Sequence, residues 1–550
     1  MWLWDSPRWR HNWIPRRDGC KKNTKPNQMN NKDIIVIGGG LNGLITANLL
    51  AKAGKTVLLF ESREKVGGMY STLEFFPGFK CNIIHDHLPH INKTILKKLN
   101  LISSNKHFKL KNTFHIGLDK DSKHIFYSKS IDSTMESISA HSSKDGHKWP
   151  LFINYIEMLT NLMKPLYYSI PPKIKNLNIK DALSLKEMFG PIKKYGSRGL
   201  VELLRAAPMM MPELLDEWFE SELIRGNLSA RGVVHINQGP FAAATVLNFL
   251  HQHINSKGNI FASLNIEGGN ETFIKMIQDE AINNGVSIKL NTEIKEINHV
   301  KGICCGVTTA EGMHYKGKSI ISSLDLDNTF NKLIGPTNLT PNFRRQINNV
   351  KYRGSTARMH FALNDLPEIP NIKTNDMEAI LSISPSINYL EKAHDEIKYG
   401  NYSQNPHMDI AIPSIMNPSL APTGKHVMSA TVQHIPYKLK NKGWTNEVKD
   451  KISKNIIQTI EKYIPNFSTY IENSTLMTPH DFEDLIKIKE GSFHHGELSL
   501  DQFYFMRPTM ETAQYSTPFK NLFLCGSGTH PGGGILGANA HNAVKKILNS

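Results

Sequence analysis

The sequence predicts an α/β fold whose first domain is discontinuous along the chain, and three stretches predict it. Residues 34–68 read as a strand, a glycine-rich turn, a helix and a second strand. A glycine pair, a helix and two strands return between residues 264 and 297. Near the C-terminus, a buried strand at 522–525 runs into another glycine-rich loop and a helix.

Ile34, Ile35, Val36 and Ile37 form a short apolar, β-branched run of the kind buried in parallel sheets. Gly38, Gly40 and Gly43 come next as G-x-G-x-x-G. Gly38 permits the tight turn, Gly40 brings backbone N–H groups close to a pyrophosphate, and Gly43 lets the helix pack on the strand. Leu41 and Asn42 open that helix, whose N-terminus directs positive dipole at the phosphates. Leu44, Ala47, Leu50 and Ala51 continue at helical spacing, and Gly54 stands where a C-terminal glycine belongs. The second strand, Thr56–Phe60, ends at Glu61, an acid placed to accept hydrogen bonds from a ribose diol. The whole is a Rossmann-type βαβ unit for a dinucleotide.

The residues after Glu61 decide which dinucleotide. Ser62 and Arg63 lead to Gly67, Gly68 and Met69. An NAD site has no need of a second glycine pair there, whereas an extended FAD brings its ribitol and pyrophosphate close to the chain at that point. The C-terminal loop repeats the device with Gly526, Ser527, Gly533, Gly534, Ile535 and Leu536 before a helix beginning near 536–538. Such a loop suits the ribitol, the second phosphate and the flavin O2. Two close-approach loops at opposite ends of one chain predict FAD.

Length and composition set the bounds. At 550 residues the chain holds two or more domains, and 40% hydrophobic with 21% charged residues fits a globular protein. The net charge of +16 raises the question of a polyanion. Its lysines, however, are spread along the chain without a block of five like charges, so a solvated basic surface is expected and nucleic acid is not. Cys20, Cys81, Cys304, Cys305 and Cys525 give neither C-x-x-C nor zinc spacing. Cys304 and Cys305 are neighbours in a strand-like run and point to opposite faces, which argues against a dithiol centre. A reducing compartment fits this cysteine usage. No stretch reaches 18 uninterrupted apolar residues, so no membrane-spanning helix is expected. Residues 1–31 are Trp-rich and basic and read as a disordered tail outside the fold, a presequence or a start placed too early.

The remaining chain reads in order. A turn at Pro77-Gly78 precedes an irregular stretch with His85, Asp86, His87 and His90, read as polar lining near the cofactor rather than a metal centre. Residues 131–230 read as helical. In LFINYIEMLTNLMK, Asn154, Glu157, Asn161 and Lys164 share one side; Pro165 is expected to end the helix. This is either a core helix or a membrane-docking one admitting an apolar substrate. Met209–Met211 between two prolines line a pocket or simply pack. HIPYKL and LDQFYFMRP are expected as aromatic-rich strands of a second, antiparallel sheet covering the flavin ring, with the largest pocket between the domains.

With these residues in view, the chain resembles the phytoene desaturase-type flavoproteins of the amine oxidase superfamily. The matches include FPGF at 76–79, DEWFESEL at 216–223, the segment 412–437, SLDQFYFMRP at 499–508 and LCGSGTHPGGGILGA at 524–538. Arg63 sits where those proteins often carry arginine. His541 and the 266–273 segment IEGGNETF depart from the family pattern.

The resemblance implies a glutathione reductase-like FAD domain built from 32–110, 260–330 and 511–550. The substrate domain of antiparallel sheet plus helices takes 111–259 and 331–510. It also implies that a backbone group near Ile294 reads the adenine. The expected activity is FAD-dependent oxidation, a hydride passing from a C–H bond of an apolar or amphipathic substrate to flavin N5, with oxygen or a quinone as acceptor. An amine oxidase on the same fold, or a flavin-binding partner or membrane-associated protein without turnover, are the alternatives. No sequence-local acid and base pair emerges, so catalytic residues stay unassigned; His530 is the polar residue nearest the flavin loop, as a ring contact or as a brace for the loop. The expected setting is the cytoplasm with peripheral membrane contact, or the mitochondrial matrix in a eukaryote, with self-association open.

Overall fold

The computed structural model describes residues 32–101, 110–128, 130–173, 189–440 and 443–550. The basic N-terminal tail with Cys20 lies outside them. Two seven-stranded sheets carry the fold. Along the chain the strands run β1 (Lys32–Ile37) and β2 (Val57–Phe60), then the β3–β4 hairpin (Thr72–Phe76 and Phe79–Asn82), a small sheet of its own turning at Pro77-Gly78. Then come β5 (Leu110–Thr113), β6 (His115–Gly117), β7 (Ile125–Tyr127), β8 (Ser263–Ile266) and β9 (Ser287–Lys289). A meander runs through β10 (Ile294–Val300), β11 (Ile303–Thr309) and β12 (His314–Ser322).

β9, β2, β1 and β12 lie side by side and parallel. β18 (Leu522–Leu524) extends them from the far end of the chain by pairing parallel with β12. Ile34, Ile35 and Val36 are fully or almost fully buried, as strands covered on both faces must be. The helix Leu41–Lys52 packs between the helices Gly269–Asn283 and Ala538–Leu548, so the three stretches singled out by sequence meet in one core.

The second sheet orders β17 (Ile471–Met477), β13 (Thr356–Leu363), β16 (His426–Gln433), β15 (Met408–Ala411), β14 (Ile380–Ile383), β6 and β7. All its pairs are antiparallel except β6 with β14. β13 is buried at all eight positions, because helices and the first domain cover both its faces.

Three expectations are corrected. HIPYKL is not a strand: β16 stops at Gln433, where His434 takes a φ of 68° and Pro436 removes a ladder donor. LDQFYFMRP is not a strand either. It forms two short 3₁₀ turns, Leu500–Gln502 and Tyr504–Met506, because the buried Arg507 draws the segment inward onto backbone carbonyls. Pro165 does not end its helix, which runs from Ser143 to Tyr167 with Ser142 as N-cap. A proline in the last turn removes only one hydrogen bond. That helix buries Phe152, Ile153, Ile156, Leu159 and Leu162 and is a core helix; Met211 is likewise fully buried in the same cluster. Cys304 is buried while Cys305 is half-exposed, as alternation along β11 requires.

Candidate functional site

A cavity of about 420 Å³ runs along the C-terminal ends of β1, β2 and β12 and on towards the second domain. Its walls include Gly38, Gly40, Leu41, Asn42 and Gly43 from the first loop, and Glu61, Ser62 and Arg63 from the end of β2. Gly67, Gly68 and Met69 add the glycine pair; Ser527, Gly533, Gly534, Ile535 and Leu536 add the C-terminal loop. Of the residues expected to bind the cofactor, Ile294 and Gly526 stand outside the lining, as do Asp86 and His90 of the expected polar lining. Ile294 points into the core, and its neighbour Glu293 lines the cavity instead. Gly526 lies behind the wall, where a Cβ would come within 2.4 Å of the Ser323 carbonyl oxygen.

The loops brace one another. Gly67 N–H donates to the Gly39 carbonyl at 2.9 Å, laying the glycine pair against the first loop. Ser323 Oγ donates towards the Ile37 and Gly38 carbonyls at 2.9 and 3.0 Å. Asn42 Nδ2 donates to Ser527 Oγ at 3.3 Å, tying the two ends of the chain together across the cavity. A Cβ on Gly43 would lie 2.0 Å from the Gly38 carbonyl oxygen, so only glycine lets the helix start there. Gly40 differs: the nearest atom to its Cβ would be 4.0 Å away. The helix it precedes has no side-chain cap, so its first N–H groups are left for a ligand.

The far wall is built by histidines, with one arginine fastening the segment behind it. His85, His87, His235, His494 and His495 line the cavity, and burial holds each below its ordinary pKa, His85 at about 4. They are neutral at pH 7. Arg507 is buried without a carboxylate partner among the described residues. Its guanidinium donates to the carbonyls of Glu497, Gln502, His494, Gly496 and Ser527 instead. This is how the histidine-bearing segment is fastened to the C-terminal loop, and burial lowers the Arg507 pKa to about 10.

His530 does not line the cavity. Its Nε2 lies 2.8 Å from the Leu166 carbonyl and its own carbonyl accepts from Tyr515 at 2.6 Å, so it holds the loop in place. His85 and His87 do line the cavity, whereas His90 does not. Sequence reasoning missed His235, His494, His495, Ser323 and Asp325. The only local signals were the paired histidines of GSFHHGEL and the SSLD at the end of β12.

Comparison with known proteins agrees in extent. A profile of the family described as flavin containing amine oxidoreductase matches residues 41–540. The rat protein called pyridine nucleotide-disulfide oxidoreductase domain-containing protein 2 is 28% identical, over 94% of this chain and 93% of that one. A phytoene desaturase from Fusarium fujikuroi is 22% identical, over 92% of this chain and 86% of its own length. Among solved structures, a triple mutant of putrescine oxidase superposes with a TM-score of 0.58 at 11% identity, covering 94% of this chain and 99% of that chain.

Proposed function

The chain belongs to the flavin containing amine oxidoreductase family and is an FAD-dependent oxidoreductase; from that premise we propose that it removes a hydride from a C–H bond of an amphipathic organic substrate. The observation that carries the reading is the single cavity walled by both glycine-rich loops and continuing to the second domain. The order β9-β2-β1-β12-β18, parallel throughout, supports a Rossmann-type domain of the glutathione reductase kind.

The residues fit the cofactor. Gly40 leaves room for a phosphate beside uncapped helix N–H groups. Glu61 presents carboxylate oxygens to a ribose, and the Gly67-Gly68 and Gly533-Gly534 backbones allow close approach. Bound FAD supplies the two-electron acceptor, flavin N5, for the substrate hydride. Arg63 stays on the Glu61 side through its 3.2 Å bond to Ser71 Oγ. Neutral His85, His235 and His494 face the substrate side, where they orient a substrate without adding charge. Burial raises the thiols of Cys81 and Cys525 to about 12, and no cysteine among the described residues lines the cavity, so a thiol mechanism has no support.

The test is the absorption spectrum of the purified protein before and after acid release. Flavin bands, with FAD as the released chromophore, and their bleaching by a substrate without oxygen are expected. A colourless protein that takes up no added FAD refutes the reading.

A further inference from the structure

Beside the main cavity lies a second, smaller chamber of about 140 Å³, sharing His85, His87, His235 and Ser263 with it. Its other walls come from the face of the second sheet, from Ile84 and Asp86 after β4, and from Arg231 and Val234 at the end of the helix Glu222–Gly232. Hydrocarbon side chains do not dominate it. Arg358 pairs with Asp86, and Arg231 with Asp409, so four charges cancel in one buried and one partly buried ion pair. Burying such pairs against a hydrocarbon would cost desolvation without return.

The hydrogen bonds fix which atoms remain open. Asn265 donates its amide to Thr113, so its Oδ1 accepts from His87 Nδ1 at 2.6 Å. His87 Nε2 is then a lone pair, and it is buried without a partner among the described residues. Gln433 donates its amide to the Val233 and Ile236 carbonyls, so its Oε1 accepts from the Thr356 hydroxyl at 2.9 Å. Thr356 can therefore only accept from His235 Nδ1 at 3.3 Å, leaving His235 Nε2 as a second lone pair. His407 gives its Nδ1 proton to the Ile383 carbonyl at 3.1 Å, and its Nε2 faces Asp409 Oδ1 at 3.7 Å. That carboxylate oxygen is also buried and unpartnered among the described residues. Burial opposes ionisation of Asp409, but the Arg231 guanidinium paired with it overcomes this, so it stays an anion and an acceptor.

We infer that this chamber receives the polar end of the substrate, and that this end carries hydrogen-bond donors, O–H or N–H. The inference rests on the proposed oxidoreductase reading and names the substrate class of that same site. A hydrocarbon end would leave two acceptors, His87 Nε2 and Asp409 Oδ1, buried and unpaired, each a cost that a donor removes. The unpartnered Arg358 Nε, a donor, adds one place for a group that also accepts, as a hydroxyl does.

The experiment uses the full-length, FAD-loaded protein and three matched probes: hexane, 1-hexanol and 1-hexylamine. Binding is measured by calorimetry, and flavin absorbance is recorded in every sample. Hexanol or hexylamine should bind at least tenfold tighter than hexane. Hexanol ahead identifies a hydroxyl end, and hexylamine ahead an amine end. His87→Phe should shrink that advantage about tenfold; if that variant does not fold, His235→Phe serves in its place. Hexane binding as tightly as the other two, binding by none of the three, or an unchanged advantage in a folded variant overturns the inference. A protein without flavin absorbance refutes the cofactor reading instead, while the calorimetric ranking still tests this one.

Discussion

Glu61 Oε2 accepts a hydrogen bond from the backbone N–H of Gly39 at 2.7 Å, and the carboxylate is almost fully buried. Its other oxygen accepts from the Arg63 backbone N–H at 3.0 Å. The acid that ends β2 therefore holds the first glycine loop in shape, in addition to the ribose contact proposed for it.

That double duty separates two substitutions. Glu61→Ala should weaken FAD retention by about 1–3 kcal/mol and also lower stability, because Gly39 N–H is left buried and unpaired. Glu61→Gln keeps an acceptor for Gly39 and should keep most of the stability while retaining less FAD than wild type. Flavin occupancy and melting temperature, measured on both variants, check this. Equal melting losses in the two would contradict the brace.

The glycines of the first loop should part company in the same assay. Gly43→Ala forces a Cβ against the Gly38 carbonyl and should cost roughly 2–4 kcal/mol or prevent folding. Gly40→Ala meets no protein atom closer than 4.0 Å and should change stability by under about 1 kcal/mol. It should nevertheless lose FAD, since its new methyl group projects where phosphate must approach. A G40A protein that stays yellow would place the phosphates elsewhere.

Arg507 offers a test of how the two halves of the site are joined. Arg507→Met keeps the volume but strands five carbonyls in a buried place. A loss of about 3 kcal/mol or more is expected in denaturant unfolding, with flavin released earlier than in wild type. Arg507→Lys should recover only part of it, because one ammonium cannot reach carbonyls spread around a planar fork. Wild-type stability in the methionine variant would mean the segment is held by packing alone.

The buried histidines set the acid limit. Burial lowers His85 and His251 from 6.5 to about 4, so the unfolded chain binds more protons than the folded one between those values. Stability is full above pH 6.5 and falls as pH drops towards 4. His251 also holds the Gly533 carbonyl, at 2.7 Å from its Nε2. The melting temperature should therefore drop between about pH 7 and about pH 5, accompanied by flavin release. A flat profile across that window would show these imidazoles to titrate in the folded protein as they do in the unfolded chain.

Most of the cavity's glycine-rich lining was legible in the chain, because its parts are local. A glycine's spacing from a strand end and a helix start, as at Gly38, Gly40 and Gly43, is a property of neighbouring residues. The same holds for Gly67-Gly68 and for Gly533-Gly534, and all of these line one cavity. Arg507 and His434 show where such reading stops. Aromatic, β-prone composition predicted strands around both, yet Arg507 finds carbonyls up to 20 residues away and a positive φ at His434 ends β16.

The βαβ unit, the returning strands, the C-terminal loop and hence FAD are readable from the chain alone, since hydrophobic period and glycine placement act over a few residues. What lies opposite depends on the folded arrangement. His85 and His87 are near one another in sequence, but His235, Arg358, Asp409 and His494 reach the site from distant helices, strands and loops. Their ionisation and their open lone pairs arise from burial and from partners such as Asn265 and Gln433, which are far away in the chain. The glycine-rich side of the cavity is written in short-range backbone geometry; its histidine-bearing side arises from long-range convergence of side chains.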